Sequence, residues 1–229
     1  MVRRLRLPAL AGCALALAIG GTINASRASA SHSRHRRCFP HGAQTIALNR
    51  SVRVYSIPEY IEGVRIQSPG TYACLLHRGT TLALAPMHGR RPLHHLSHIT
   101  LAGTIVAFVD SQTYVGARCD VIEVIDVANR RTVLSVSNVG CGGKAPAGAA
   151  ATDLVVNEHG SVAWITERWR KQKAGPLASV SFEVHSATTS GSTTLLDSAI
   201  GIAPGSLRLA PGGEVTWLDG GRAVYADLP

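Results

Sequence analysis

The sequence predicts an all-β fold built from about four copies of one unit. The clearest copy runs from Asp153 to Asp197 and contains four short strands joined by turns, one of them at Asn157–Gly160. Phe108, Trp164 and Trp217 mark the second strand of three copies and lie 56 and 53 residues apart. This period is somewhat above the roughly 40 to 50 residues of common propeller blades.

The pattern of apolar residues indicates how the copies pack. The second strands are apolar at successive positions, as in Val162–Ile165, so we expect both of their faces to be buried between neighbouring sheets. The third strand of the clearest copy alternates Val180, Phe182 and Val184 with polar residues, which is typical of a half-exposed rim. We therefore expect a small β-propeller or propeller-like array of about four blades. An open β-array or a sandwich is the alternative.

Residues 1–30 have the composition of an export signal. Arg3 and its basic neighbours precede an apolar run over Leu7–Ile23, and small residues precede Ser31. We expect a secreted mature chain that starts near Ser31 and has no transmembrane segment. The alternative is a surface protein anchored by lipid at Cys13, because the four residues ending there match a lipidation site.

The charge of the chain is positive but not diagnostic. It has 23 basic and 14 acidic residues, and four of the arginines lie in the signal, which leaves a net charge of +5 on the mature chain. Such a charge favours solubility and weak attraction to anionic surfaces. Residues 31–44 read as a basic flexible arm fixed at Cys38, and we expect no specific nucleic-acid partner.

Export determines the interpretation of the cysteines. Removal of the signal leaves four, an even number in an oxidising compartment, which predicts two disulfides. Three pairings are open, and Cys38–Cys74 with Cys119–Cys141 is favoured because each bond then lies within one copy. Each would stabilise the fold by roughly 3 to 4 kcal/mol on the chain-entropy model. No C-x-x-C spacing supports a zinc site.

The four copies follow one another from residue 45 to residue 229, a single repeat domain. The fourth contains only three predicted strands, and residues near Phe39–Leu48 are candidates for the missing one. The segments expected to lack strands are Ile57–Gly70, His88–His98, Val139–Ala151 and Glu167–Gly175.

Two of these segments are candidate ligand contacts. His94, His95 and His98 belong to a histidine-rich stretch, but Pro92 and the scarcity of nearby carboxylates argue against a metal site. Arg168, Trp169 and Arg170 form a basic stretch whose indole could stack on a sugar or a base.

Several segments taken together resemble a known group of proteins. The segments RVYSI, LAGTIVAFV, GSVAWI and VTWLDGG, in this order, are similar to repeats of secreted actinobacterial proteins of unknown function, whose repeats resemble TolB-like or WD40-like β-propellers. The resemblance covers nearly all of residues 38–228. It implies a propeller-like fold and no particular activity, since the matching residues are core and turn positions.

The sequence favours binding over catalysis. We predict no cofactor and no catalytic residues, because acids such as Asp110, Asp120 and Asp197 fall at strand ends and turns, where backbone geometry favours them. We expect a non-enzymatic binding or interaction module of the cell envelope or exterior, with an envelope polymer or another protein as partner. The alternative is a secreted glycan-acting hydrolase or lyase, which would need paired carboxylates.

Overall fold

A computed structural model describes residues 37–58, 60–61, 64–65, 70–84, 94–114, 117–142, 147–171 and 177–229. The predicted signal, with its Cys13, and the first six residues of the basic arm lie outside the described residues. Within the described ranges, no helix has the length and hydropathy that a membrane crossing requires.

The described chain consists of strands and turns, so the all-β prediction is confirmed. The strands are β1 (Gln44–Leu48), β2 (Val52–Ile57), β3 (Tyr60–Ile61), β4 (Val64–Arg65), β5 (Gly70–Leu75), β6 (Thr80–Ala83), β7 (His94–Ala102), β8 (Ile105–Tyr114), β9 (Ala117–Asp126), β10 (Arg131–Gly142), β11 (Ala147–Val156), β12 (Val162–Lys171), β13 (Leu177–Ala187), β14 (Thr193–Ala199), β15 (Arg208–Leu209), β16 (Glu214–Asp219) and β17 (Arg222–Asp227).

These strands form four antiparallel sheets in chain order. The first sheet has the order β1-β2-β5-β6, and β3 and β4 form a separate short hairpin. The second sheet contains β7 to β10, the third β11 to β14, and the fourth only β15 to β17, each in sequence order. Since no sheet closes on itself, an open β-array fits the arrangement.

The segments predicted to lack strands contain strands, which corrects the sequence interpretation. β7 begins at His94, β3 and β4 lie within Ile57–Gly70, and β12 continues through Lys171. The interval Val139–Ala151 holds the end of β10 and the start of β11. These segments are polar or rich in glycine and alanine, so their sequence gives no strand signal. They form strands because they pair with neighbouring strands.

Neighbouring sheets pack face to face around apolar clusters. On β8, Val106 and Phe108 face the first sheet, whereas Ile105, Ala107 and Val109 face the third. The prediction that this strand is buried on both faces is therefore confirmed. A further cluster joins the third and fourth sheets, and among the described residues no cluster joins the fourth sheet to the first.

The two outer sheets of the array end differently. On β16, Trp217 is buried against the third sheet but Leu218 is 41% exposed, so this strand is buried on one face only. β1 pairs with β2, so Phe39–Leu48 does not supply a fourth strand to the last sheet. β17 is bonded to β16 alone among the described strands.

The second strand of each sheet carries an aromatic residue, which in the second, third and fourth sheets faces the preceding sheet. Tyr55 on β2 lies 53 residues before Phe108 and completes the period that Trp164 and Trp217 continue. Because no sheet precedes the first, the segment that follows Arg37 covers Tyr55 instead.

An arginine binds this covering segment to the first sheet. Arg53 is buried and donates to the carbonyl oxygens of Cys38 and Ala43, and its guanidinium lies 4.3 Å from the centroid of the Phe39 ring. Residues 38–43 of the predicted flexible arm are thus packed against the sheet.

Both predicted disulfides are present, and both pairings are confirmed. Cys38 is bonded to Cys74 on β5, which holds the covering segment on the first sheet. Cys119 and Cys141 are directly opposite each other on β9 and β10, with their Cα atoms 4.1 Å apart.

Candidate functional site at the polar end of the central sheets

The second and third sheets extend at one end beyond their buried apolar residues. We call this part the polar end, and it comprises residues 94–95, 110–114, 117–120, 140–142, 147–150, 166–171 and 177–183. Strands of the second sheet have 9 to 12 residues, whereas those of the first have 4 to 6. At about 3.3 Å per residue, the longer strands project well past the shorter ones.

The polar parts of the two central sheets are held against each other. The backbone N–H of Ala151 donates to Asp120 Oδ2 at 3.1 Å, and the Ser111 hydroxyl donates to Asp120 Oδ1 at 2.7 Å. A Cβ added to Gly140 would lie 2.5 Å from the carbonyl oxygen of Ala149, so the two backbones approach closely there. Together with the Cys119–Cys141 bond, these contacts make the polar end a fixed scaffold.

An ion-pair cluster lies on the face of the third sheet that is turned toward the second. Arg168 Nε lies 2.6 Å from Glu183 Oε1, and His185 Nε2 lies 3.0 Å from Glu183 Oε2. The imidazole of His185 stacks on the Trp164 indole, with ring centroids 5.2 Å apart. The hydrogen bond from Arg168 holds the pKa of Glu183 below its ordinary value against the opposing effect of burial, and His185 adds to the lowering.

Two polar atoms next to this cluster have no hydrogen-bond partner. Trp164 Nε1 and Thr166 Oγ1 are both buried, and neither makes a hydrogen bond in the described structure. Their residues lie opposite His185 and Glu183 in the β12–β13 register, which places all four on the same face of the sheet. Buried polar groups without partners are uncommon in folded proteins and often mark functional positions.

A second polar cluster lies on the opposite face of the second sheet. His94 Nδ1 lies 2.8 Å from Asp110 Oδ2, and the Gln112 side chain donates to the same oxygen at 2.8 Å. Asp110 is buried, while the His94 side chain is 31% exposed. The buried carboxylate therefore orients an imidazole that remains accessible to solvent.

Glu123 lies on the same face, one strand away from Asp110. Its carboxylate accepts a hydrogen bond of 2.7 Å from the Ser135 hydroxyl. Burial raises the pKa of Glu123, the bond from Ser135 acts in the opposite direction, and the negative charge of Asp110 raises it further.

The sequence-predicted contact residues on β12 lie at the polar end, on a strand and not in a loop. Trp169 is half-buried, and its indole lies over Gly148, where a Cβ would be 2.8 Å from the ring. Arg168 and Arg170, on either side of it, are exposed. The tryptophan is thus supported on one face by the β11 backbone.

The three predicted histidines are divided between two places. His94 and His95 lie at the start of β7, paired with Gln112 and Ser111 of β8, and therefore belong to the polar end. His98 lies further along β7 at an irregularity in the register with β8, with a φ of 49°. The structure does not bring His98 to the other contact residues.

Sequence reasoning missed Thr166, Glu183 and His185 as site residues. The alternation of Glu183 and His185 with Phe182 and Val184 is the available signal in the sequence, and it predicts a half-exposed rim. In the structure Phe182 and Val184 pack toward the fourth sheet, and the Glu183 and His185 side chains are mostly covered, facing the second sheet.

Several acids have the structural roles expected of strand ends and turns. Asp126 accepts hydrogen bonds from the backbone N–H groups of Ala128 and Asn129, and Asp197 accepts one from Trp217 Nε1. Within the described ranges, no group of three or more His, Cys, Asp or Glu side chains is arranged to hold a metal ion.

A scan against protein-family models finds no match to this chain, and a search of curated proteins also finds none.

Proposed function

We propose that this protein is a secreted, propeller-like binding module of the cell envelope or exterior, and that its polar end contacts an envelope polymer. In this proposal the four sheets are blade-like units that hold the binding surface, and the module is not an enzyme. The recognition of repeats similar to those of secreted propeller-like proteins is part of the same proposal.

The observation that carries the proposal is the position of Trp169. This half-buried indole rests on the Gly148 backbone, on the face of β12 opposite to the exposed Arg168 and Arg170, at the end of the array that both central sheets extend. A supported aromatic ring on one face of β12 and two exposed arginines on the other face suit a polymer that combines sugar rings with anionic groups, since sugar rings stack on indole and arginine binds oxyanions.

Other features support an extracellular role. Two disulfides stabilise the fold, one of them at the polar end, and such bonds persist in oxidising compartments. The net charge of +5 on the mature chain attracts anionic polymers over distances of about 10 Å at moderate salt.

The test is cosedimentation of the purified mature protein with bacterial cell-wall sacculi. We expect Trp169→Ala to weaken binding by about 5- to 150-fold, since base or sugar stacking on an aromatic ring contributes about 1–3 kcal/mol. Tyr225→Ala is the matched control, because this aromatic side chain is 58% exposed but lies on the outer face of the fourth sheet. Equal binding by wild type and Trp169→Ala would refute the proposed surface.

One observation favours a second candidate function, glycan hydrolysis. Asp110 and Glu123 are two carboxyl groups on the same face of adjacent strands, and Glu123 has a raised pKa. A protonated Glu123 would donate to the leaving oxygen while the His94–Asp110 pair takes a proton from the attacking water. Release of reducing ends from sacculi that is abolished by Glu123→Gln would support this candidate, and no release by the wild type would exclude it for this substrate.

A further inference from the structure

We infer that the polar end contains an oxyanion-binding site formed by Trp164, Thr166 and Arg168, between the second and third sheets. The inference rests on the proposed function, because it names the chemical group of the polymer that this end recognises. The group is a carboxylate or a phosphate, which present the same acceptor chemistry.

The carboxylates at the interface already have hydrogen-bond donors. Both oxygens of Glu183 are occupied, one by Arg168 and the other by His185. Both oxygens of Asp120 are occupied as well, by the Ser111 hydroxyl and the Ala151 N–H. A cationic ligand would therefore have to displace one of these donors, so a cation is not the group that this interface suits.

The groups without partners are donors. Trp164 Nε1 can only donate, and the Thr166 hydroxyl can donate one hydrogen bond. Trp164, Thr166 and Arg168 occupy alternate positions of β12, so their side chains follow one another along one face at intervals of about 7 Å. A buried donor without a partner is costly, and an oxyanion is the ligand that satisfies several donors at once.

Arg168 lies where a ligand would enter. Its side chain is 53% exposed, whereas that of Glu183 is 16% exposed and both Trp164 and Thr166 are fully enclosed. Glu183 therefore acts as an internal carboxylate that holds the Arg168 side chain on the same sheet face as the two buried donors. An incoming oxyanion competes with Glu183 for Arg168, and movement of this exposed side chain opens the way to Thr166.

The indole N–H signals in a ¹H–¹⁵N spectrum provide a direct test. The chain has three tryptophans, and Trp217 Nε1 donates to Asp197 at 2.8 Å, which makes its signal an internal control. We expect titration with glycerol phosphate or with glucuronate to shift the Trp164 signal and leave that of Trp217 unchanged. The probe that shifts the Trp164 signal more strongly shows whether the site prefers phosphate or carboxylate. Glucose is the uncharged control. No shift of Trp164 with either anion overturns the inference.

Two variants separate a binding role from a structural one. Thr166→Val removes the buried hydroxyl at nearly constant shape, and we expect the affinity for the responding anion to fall by at least about fivefold. Glu183→Gln removes the competing charge, and we expect the affinity to rise. Thr216→Val, on the outer face of the fourth sheet, is the matched control and should leave the affinity unchanged.

The two proposals can fail independently. If sacculi bind wild type and Thr166→Val equally and neither anion shifts the Trp164 signal, the oxyanion site is overturned. The proposal of a binding module is then retained. Sacculi that do not bind, combined with a Trp164 shift that Thr166→Val abolishes, would overturn the envelope-polymer function and retain the oxyanion site.

Discussion

The apolar and polar halves of the two central sheets are held by different forces. In the apolar half, side chains such as Val109, Ile122 and Trp164 fill the space between sheets and are almost fully buried. In the polar half, the same strands continue through hydrogen bonds, ion pairs and the Cys119–Cys141 bond. Burial therefore fixes the fold at one end, while cross-strand pairing and a disulfide hold polar groups in place at the other.

The largest expected effect comes from removing core volume in the apolar half. Phe108 is 1% exposed and lies between the first and second sheets, so Phe108→Ala should cost about 3–5 kcal/mol in the free energy of unfolding. Urea denaturation of the mature protein measures this cost. A loss below about 1 kcal/mol would mean that this side chain does not fill the core.

Removing the disulfide tests the polar half. The double variant Cys119→Ser, Cys141→Ser opens a loop with a sequence separation of 22 residues, and the chain-entropy model gives a loss of about 3 kcal/mol. We expect hydrogen exchange to accelerate mainly at residues 110–114, 117–120 and 138–142. Uniform acceleration across all four sheets would show that the polar half is not a separate unit of stability.

A smaller effect tests the close approach of the two central sheets. Gly140→Ala would place a methyl group against the backbone of Ala149 and should cost about 1–3 kcal/mol, because backbone atoms cannot yield as a flexible side chain can. Ser137→Ala, at an exposed position on the same strand, is the control and should change stability little. Equal unfolding midpoints for the two variants would contradict the contact.

The smallest effects concern two glutamates with opposite pH dependence. The lowered pKa of Glu183 means that its stabilising contribution is present above the ordinary value of 4.5 and is lost as the pH falls below it. The raised pKa of Glu123 means that its stabilising contribution is present below pH 4.5. This contribution is lost as the pH rises through the pKa of Glu123 in the folded state.

Substitution by glutamine should reveal these opposite signs. At pH 7 we expect Glu183→Gln to lower the melting temperature and Glu123→Gln to raise it, with both differences from wild type diminishing toward pH 3. Melting curves between pH 3 and pH 7 provide the comparison. Shifts of the same sign at pH 7 would contradict the two environments.

The sequence predicted the apolar half of the fold well and the polar half poorly. In the clearest copy, the apolar run Val162–Ile165 predicts the start of β12, but the strand continues to Lys171. Apolar periodicity is a local signal, so it stops at Thr166. The remaining six residues are strand because β11 and β13 pair with them, and this pairing depends on the register of distant segments.

The candidate site shows the same division. Trp169 and Arg168 could be predicted as contact residues from their side-chain chemistry alone. Both disulfides could be predicted because each joins two cysteines within one copy of the repeat. The contact of Glu183 with Arg168 and the lack of a partner for Thr166 depend on which residues face each other across strands and between sheets. Such relations follow from tertiary packing and have no local sequence signature.

Hydrogen–deuterium exchange with and without soluble cell-wall fragments tests most directly whether the polar end binds the envelope. We expect the fragments to protect amides at residues 110–114, 117–120, 166–171 and 177–183 and to leave residues 214–227 of the fourth sheet unchanged. Protection confined to the fourth sheet, or no protection anywhere under conditions where the fragments bind, would contradict a binding surface at the polar end.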